Sequence, residues 1–158
     1  MKDFNGKLAV VTGGASGVGF AIGEALAKEG ARVILTDVEQ ESLEASTATL
    51  VEQSLEVFCK VADVSDSSSM HELAKWCKSE HGPVHLLFNN AGVSKPANTI
   101  DKISPEEWSE VVNINLTGSF FCARAAFRAM KNQKPKGGRI INNGSVSSHV
   151  PRPGSAPY

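Results

Sequence analysis

Apolar and polar positions along this chain follow two alternating periods. Five short runs, residues 8–12, 32–36, 56–61, 84–88 and 139–142, are rich in apolar and β-branched side chains. Runs of that kind predict strands buried on both faces. Longer amphipathic stretches over residues 18–29, 39–52, 67–80 and 104–132 separate them and predict helices. The punctuation agrees: Gly30 closes the first helix and Gly82-Pro83 the third. Ser104-Pro105-Glu106-Glu107 opens the fourth with an N-cap hydroxyl, a proline at the first turn and acids at the positive end of the dipole. Strand and helix in strict alternation predict an α/β protein, a Rossmann-type doubly wound parallel β-sheet with helices on both faces, in a single domain. Ligands of such sheets bind beyond the carboxyl ends of the strands.

Composition narrows the classes. The 158 residues are 41% hydrophobic and 21% charged, with a formal net charge of -1. That balance suits a soluble globular domain and offers no electrostatic footprint for nucleic acid or an anionic membrane. The cations Lys131, Lys134, Lys136 and Arg139 are interspersed with Asn, Gln, Pro and Gly and read as a solvated loop. No apolar run approaches a membrane span, and the first residues lack a signal-peptide layout. Cys59, Cys77 and Cys122 are widely spaced and odd in number, which predicts free thiols and a cytoplasmic location. His71, His81, His85 and His149 show no ligand spacing with them, so no metal site is expected.

The first strand runs directly into Thr12-Gly13-Gly14-Ala15-Ser16-Gly17-Val18-Gly19 and then into a helix. Glycines let the backbone approach a ligand closely, and a helix N-terminus presents free N–H groups to a pyrophosphate. The candidate cofactor contacts in this loop are Gly13, Ser16, Gly17, Val18 and Gly19. Asp37 ends the second strand, eighteen residues after Gly19, where a carboxylate can accept from both ribose hydroxyls of adenosine. The same charge would repel the extra phosphate of NADP, and neither Ser16 nor Val38 is a cation that could receive it. NAD is therefore the expected cofactor. Ile22 stands where a G-x-G-x-x-G motif would carry its third glycine.

The loop is instead of the longer T-G-x-x-x-G-x-G form, and with it the sequence resembles the short-chain dehydrogenase/reductase family over essentially its whole length. Asp63-Val64 after the third strand is similar to the family's adenine-side carboxylate and backbone group. Asn89-Asn90-Ala91-Gly92 after the fourth resembles the family's N-N-A-G signature, which places Asn90, Ala91 and Gly92 beside the cofactor. The resemblance further implies catalytic roles for Asn115, which would hold a water in a proton relay, and for Ser145, which would orient the substrate oxygen. Tyr158 would be the acid or base. A free Tyr has a pKa near ~10. The family lowers it with a lysine four positions further on, beyond the last residue of this sequence.

These implications set the expectations. The chain should be the N-terminal part of a longer NAD-dependent enzyme that interconverts a secondary alcohol and a ketone, with the C-terminal strands of the sheet not included. Ser155-Ala156-Pro157 should be the approach to a helix, and the fifth strand an exposed edge. The alternatives are a dinucleotide-binding unit without catalysis, or an interaction module built on the long helix with its Phe120, Phe121, Ala125 and Met130. Similar proteins use that region to form homo-oligomers, dimers or tetramers. Residues 94–98 and 149–153 should face the substrate.

Overall fold

The computed structural model describes residues 3–158. Its strands are β1 (Leu8–Thr12), β2 (Arg32–Asp37), β3 (Val57–Val61), β4 (Val84–Asn89) and β5 (Arg139–Asn142). They form one sheet in the order β3-β2-β1-β4-β5, and every neighbouring pair is parallel. The chain thus starts in the middle, winds to one edge, returns and winds to the other. That reversal leaves the carboxyl ends of β1 and β4 adjacent over a crevice, the usual ligand position of a doubly wound sheet. Helices α1 (Gly17–Lys28), α2 (Gln40–Val51), α3 (Ser67–Trp76), α4 (Pro105–Val112) and α5 (Ser119–Asn132) make the connections.

The period of two along the strands divides the core cleanly. Ala9 and Val11 of β1, Val33 and Leu35 of β2 and Leu86 of β4 face one way, against Leu26 and Ala27 of α1 and Leu43 and Leu50 of α2. Leu8, Val10, Ile34 and Leu87 face the other way, against Met70, Leu73 and Cys77 of the third helical segment and Cys122, Ala126 and Met130 of α5. Leu35, Leu43, Leu50 and Ile34 are wholly buried. Each such side chain contributes roughly 1.5–3 kcal/mol by leaving water. β5 lies at an edge and its side chains are partly or fully exposed.

The strands fall where the hydrophobic runs predict, within a residue at either end. The helices differ in two places. The third passes into a π-helical turn over Cys77–His81. The long helix passes through another between α4 and α5, Asn113–Gly118, with helical angles on both sides. The last residues run as turns, the Ser155 hydroxyl donating to the Arg152 carbonyl at 2.8 Å and Tyr158 N–H to the Ser155 carbonyl at 3.0 Å. The interaction face read from the long helix also needs correcting. Met130 is buried in the core, and Phe121 and Ala125 pack against that core. The exposed stripe is Trp108, Leu116, Phe120 and Phe127.

Candidate functional site

The loop between β1 and α1 is shaped by steric exclusion. A Cβ on Gly19 would collide with the carbonyl oxygen of Gly13 and lie 2.6 Å from Asn90 Nδ2. Only glycine lets the first turn of α1 pass this close to the loop. Gly17 opens the helix at φ 54°, with nothing within 4 Å of the position a Cβ would take. It faces open space together with the exposed Ser16 and Val18. The first turn of α1 carries no side-chain cap and no acidic residue. Two other helices in the chain are finished differently. Asp66 caps α3 by accepting from the Ser68 and Ser69 amides, and Ser104 and Glu107 form a reciprocal capping box on α4. The Ser68 hydroxyl and amide hold the Asp66 carboxyl below its ordinary pKa. The start of α1 therefore keeps its unsatisfied amides and the positive end of its dipole turned outward.

Two side chains tie this loop to its surroundings. Asp37, at the carboxyl end of β2, accepts from Ala15 N–H at 3.2 Å through one oxygen and from Val38 N–H at 2.8 Å through the other. On the opposite side Thr12 Oγ1 accepts from the amides of Asn90 and Ala91, both at 3.0 Å. Asn90 returns the contact, its amide group donating to the Thr12 carbonyl at 3.1 Å. A Cβ on Gly13 would lie 2.9 Å from Ala91 Cα, so the two strand-end loops touch backbone to backbone. Gly13, Gly19, Asp37, Asn90 and Ala91 are thereby gathered around one crevice.

Asp63 and Val64 lie at the adjoining strand end. Asp63 accepts from the amide and hydroxyl of Ser65 at 2.8 and 2.7 Å, an exposed turn. Val64 is buried and packs against Gly118. Asn115 spends its whole side chain on one residue, accepting from Val93 N–H at 2.8 Å and donating to the Val93 carbonyl at 2.9 Å. Its own carbonyl accepts the Ser119 hydroxyl at 2.8 Å. Gly92 runs beside it, close enough that a Cβ there would fall 3.3 Å from Asn115 Oδ1.

Ser145 starts a 3₁₀ turn, its Oγ accepting from Ser147 N–H at 3.1 Å. Tyr158 lies with its ring under the Arg152 guanidinium, 5.1 Å from the centroid. It lines a small cleft with Lys95, Asn98, Ile103 and Gly154. The Asn98 amide donates to the Gly154 carbonyl at 2.8 Å, which joins the segment at residues 94–98 to the one just after 149–153. The structure thus unites the glycine loop with Asp37 and Asn90.

A family profile described as short chain dehydrogenase matches residues 7–158. The chain belongs to that family. It is 34% identical over 157 residues to 2,3-dihydro-2,3-dihydroxybenzoate dehydrogenase of Bacillus subtilis, an alignment covering 99% of this chain and 59% of the relative. It is 33% identical over 155 residues to gluconate 5-dehydrogenase of Gluconobacter oxydans, covering 98% of this chain and 59% of that one. Among solved structures, a short chain dehydrogenase/reductase from Burkholderia phymatum in complex with NAD superposes with a TM-score of 0.94 at 33% identity. That superposition covers 100% of this chain and 56% of the other. The chain spans about three-fifths of the length of these curated relatives.

Two contributors to the site are absent from the candidate contacts expected from the sequence. Thr12 is the hinge pin between the two loops, a buried threonine at a strand end. Gly23, one place after Ile22, does the packing a third motif glycine would do: a Cβ there would meet the Leu35 side chain at 2.5 Å. Its signal in the sequence is a small residue on the buried face of α1. Cys77 and Cys122 lie in the apolar layer behind the site, and burial pushes both thiols up to about 12. All three cysteines are free. No helix among the described residues is long and apolar enough to cross a membrane.

Proposed function

We propose that this chain binds NAD and serves hydride transfer between a secondary alcohol and a ketone. The observation that carries the reading is the uncapped, acid-free start of α1, set beside a glycine cradle that a Cβ would fill. Free amides and dipole suit a diphosphate there. Asp37, bonded to the loop through Ala15 N–H, suits the ribose hydroxyls. Its charge and the absence of a cation at Ser16 and Val38 favour NAD over NADP. NAD, when bound, would supply the hydride acceptor or donor. In this reading Asp63 and Val64 border the adenine, Asn90, Ala91 and Gly92 flank the cofactor, and Asn115 shapes the wall behind them. Ser145 would hydrogen-bond the substrate oxygen, and Tyr158 would give or take its proton. The exposed Trp108, Leu116, Phe120 and Phe127 support a homo-oligomer, and the free thiols support a cytoplasmic protein.

One arrangement favours a second reading, dinucleotide binding without turnover. Ser145 Oγ accepts from Ser147 N–H within its own turn, and the Tyr158 ring is held against the Arg152 guanidinium, 5.1 Å from its centroid. Titration calorimetry with NAD and NADP tests the shared part. The wild type should bind NAD at least about tenfold more tightly than NADP. Asp37→Asn, which keeps an oxygen able to hold Ala15 N–H but removes the charge, should narrow that ratio. Equal affinity for both nucleotides in both proteins would sink the assignment of Asp37. Absorbance change of NAD with a panel of secondary alcohols separates the enzyme from the binding unit.

A further inference from the structure

Ser46 lies near the middle of α2, half-buried and apart from the motifs at the strand ends. Its hydroxyl donates to the carbonyl of Ala15 at 2.6 Å. Helical hydroxyls ordinarily bond back to the carbonyl four residues earlier. Two neighbours on the same helix do so, Thr47 to Leu43 at 2.8 Å and Thr49 to Ala45 at 3.0 Å. Ser46 instead leaves its helix and crosses 31 residues of sequence to the glycine loop.

Ala15 is buried, and the same residue gives its N–H to Asp37 Oδ2. Gly14 N–H donates to the Thr36 carbonyl at 3.0 Å. The loop is therefore held against β2 and α2 by three bonds, and Ser46 supplies the one that takes a carbonyl. A trans peptide is planar, with its C=O and the following N–H pointing in opposite directions. Drawing the Ala15 carbonyl toward α2 turns the Ser16 N–H away from α2, and Ser16 and Gly17 are both exposed.

We infer that Ser46 is a positioning residue of the dinucleotide site: without touching the nucleotide, it fixes the Ala15–Ser16 peptide so that the loop amides are aimed before the diphosphate arrives. This rests on the nucleotide reading of the site. Pre-set donors cost no ordering on binding, so loss of the pin raises the dissociation constant.

The test compares wild type, Ser46→Ala and Ser46→Thr in two measurements. Ser46→Ala should weaken NAD binding by about fivefold in calorimetry, the effect of one net hydrogen bond, and Ser46→Thr should restore it. In the free protein, amide exchange at Gly14 and Ala15 should quicken in Ser46→Ala and recover in Ser46→Thr, while the Leu50 amide keeps its protection. Wild-type affinity and unchanged loop exchange in Ser46→Ala would overturn the inference. So would quickened exchange throughout α2, which would mark a general loss of helix stability. If the wild type binds no dinucleotide, the functional reading fails, and the exchange pattern still decides whether Ser46 pins the loop.

Discussion

At the scale of single residues, the glycines of the loop separate two physical demands that a motif merges. Gly19 is required by space, since a Cβ would overlap the Gly13 carbonyl. Gly17 is required by backbone angle alone, since its φ is 54° and its surroundings are open. Gly19→Ala should therefore push the loop off Asn90, cost about 1–3 kcal/mol of stability by overpacking and abolish NAD binding. Gly17→Ala should cost about 1–2 kcal/mol as a left-handed residue and leave the loop in place. Urea unfolding with nucleotide titration of both variants checks this, and equal behaviour would refute the distinction. The motif spacing is legible in the sequence because a run of glycines between a strand and a helix serves few other purposes. The work of Thr12 and Gly23 is not, because a buried threonine and a helical glycine have many uses and only the approach of β4 and Leu35 selects one.

At the scale of elements, the long helix shows what periodicity can and cannot report. Its apolar spacing marks helix from residue 105 to 132, and the capping box at Ser104 and Glu107 sets its start. The π turn at Asn113–Gly118 inserts a residue without breaking the run of helical angles, so no pattern of hydrophobicity reveals it. What marks it is polar: Asn115 turns from the helix to clamp Val93 by two bonds, and Ser119 takes the carbonyl of Asn115. The turn thus fastens the loop after β4 to the helix that follows it. Asn115→Ala should lower stability by about 1–3 kcal/mol, the cost of leaving the Val93 amide and carbonyl without partners. Asn115→Asp should not rescue it, because a carboxylate accepts from Val93 N–H but repels its carbonyl. Denaturant midpoints that match the wild type would remove this account of the turn.

At the scale of the whole molecule, the two ends of the sheet are built for different conditions. The carboxyl ends carry the crevice, while the amino ends are closed by histidines. β1 and β4 slip register between Leu8 and Ala9, where His85 is the extra residue of β4. His85 Nδ1 accepts the Leu8 N–H at 3.1 Å in place of a ladder carbonyl. Beside it along the same rim, His81 packs on Phe58 and Trp76 at centroid distances of 4.3 and 4.7 Å, with Arg32 bonded to its carbonyl at 2.9 Å. Burial first, then the nearby cation, Lys7 for His85 and Arg32 for His81, lowers both pKa values from the ordinary 6.5. The unfolded chain accordingly takes up protons before the folded one. The contribution of the two histidines to stability is complete above pH 6.5 and is lost as pH falls from there through the lowered folded values. Protonation at Nδ1 also destroys the acceptor that Leu8 uses, so acid loosens the central strand pair at the end away from the crevice. His85→Asn, which can accept without titrating, should flatten the decline in melting temperature between about pH 7 and pH 5 by roughly 2 °C. A slope identical to the wild type would show that this bulge does not sense protons and would leave His81 to account for the acid limb.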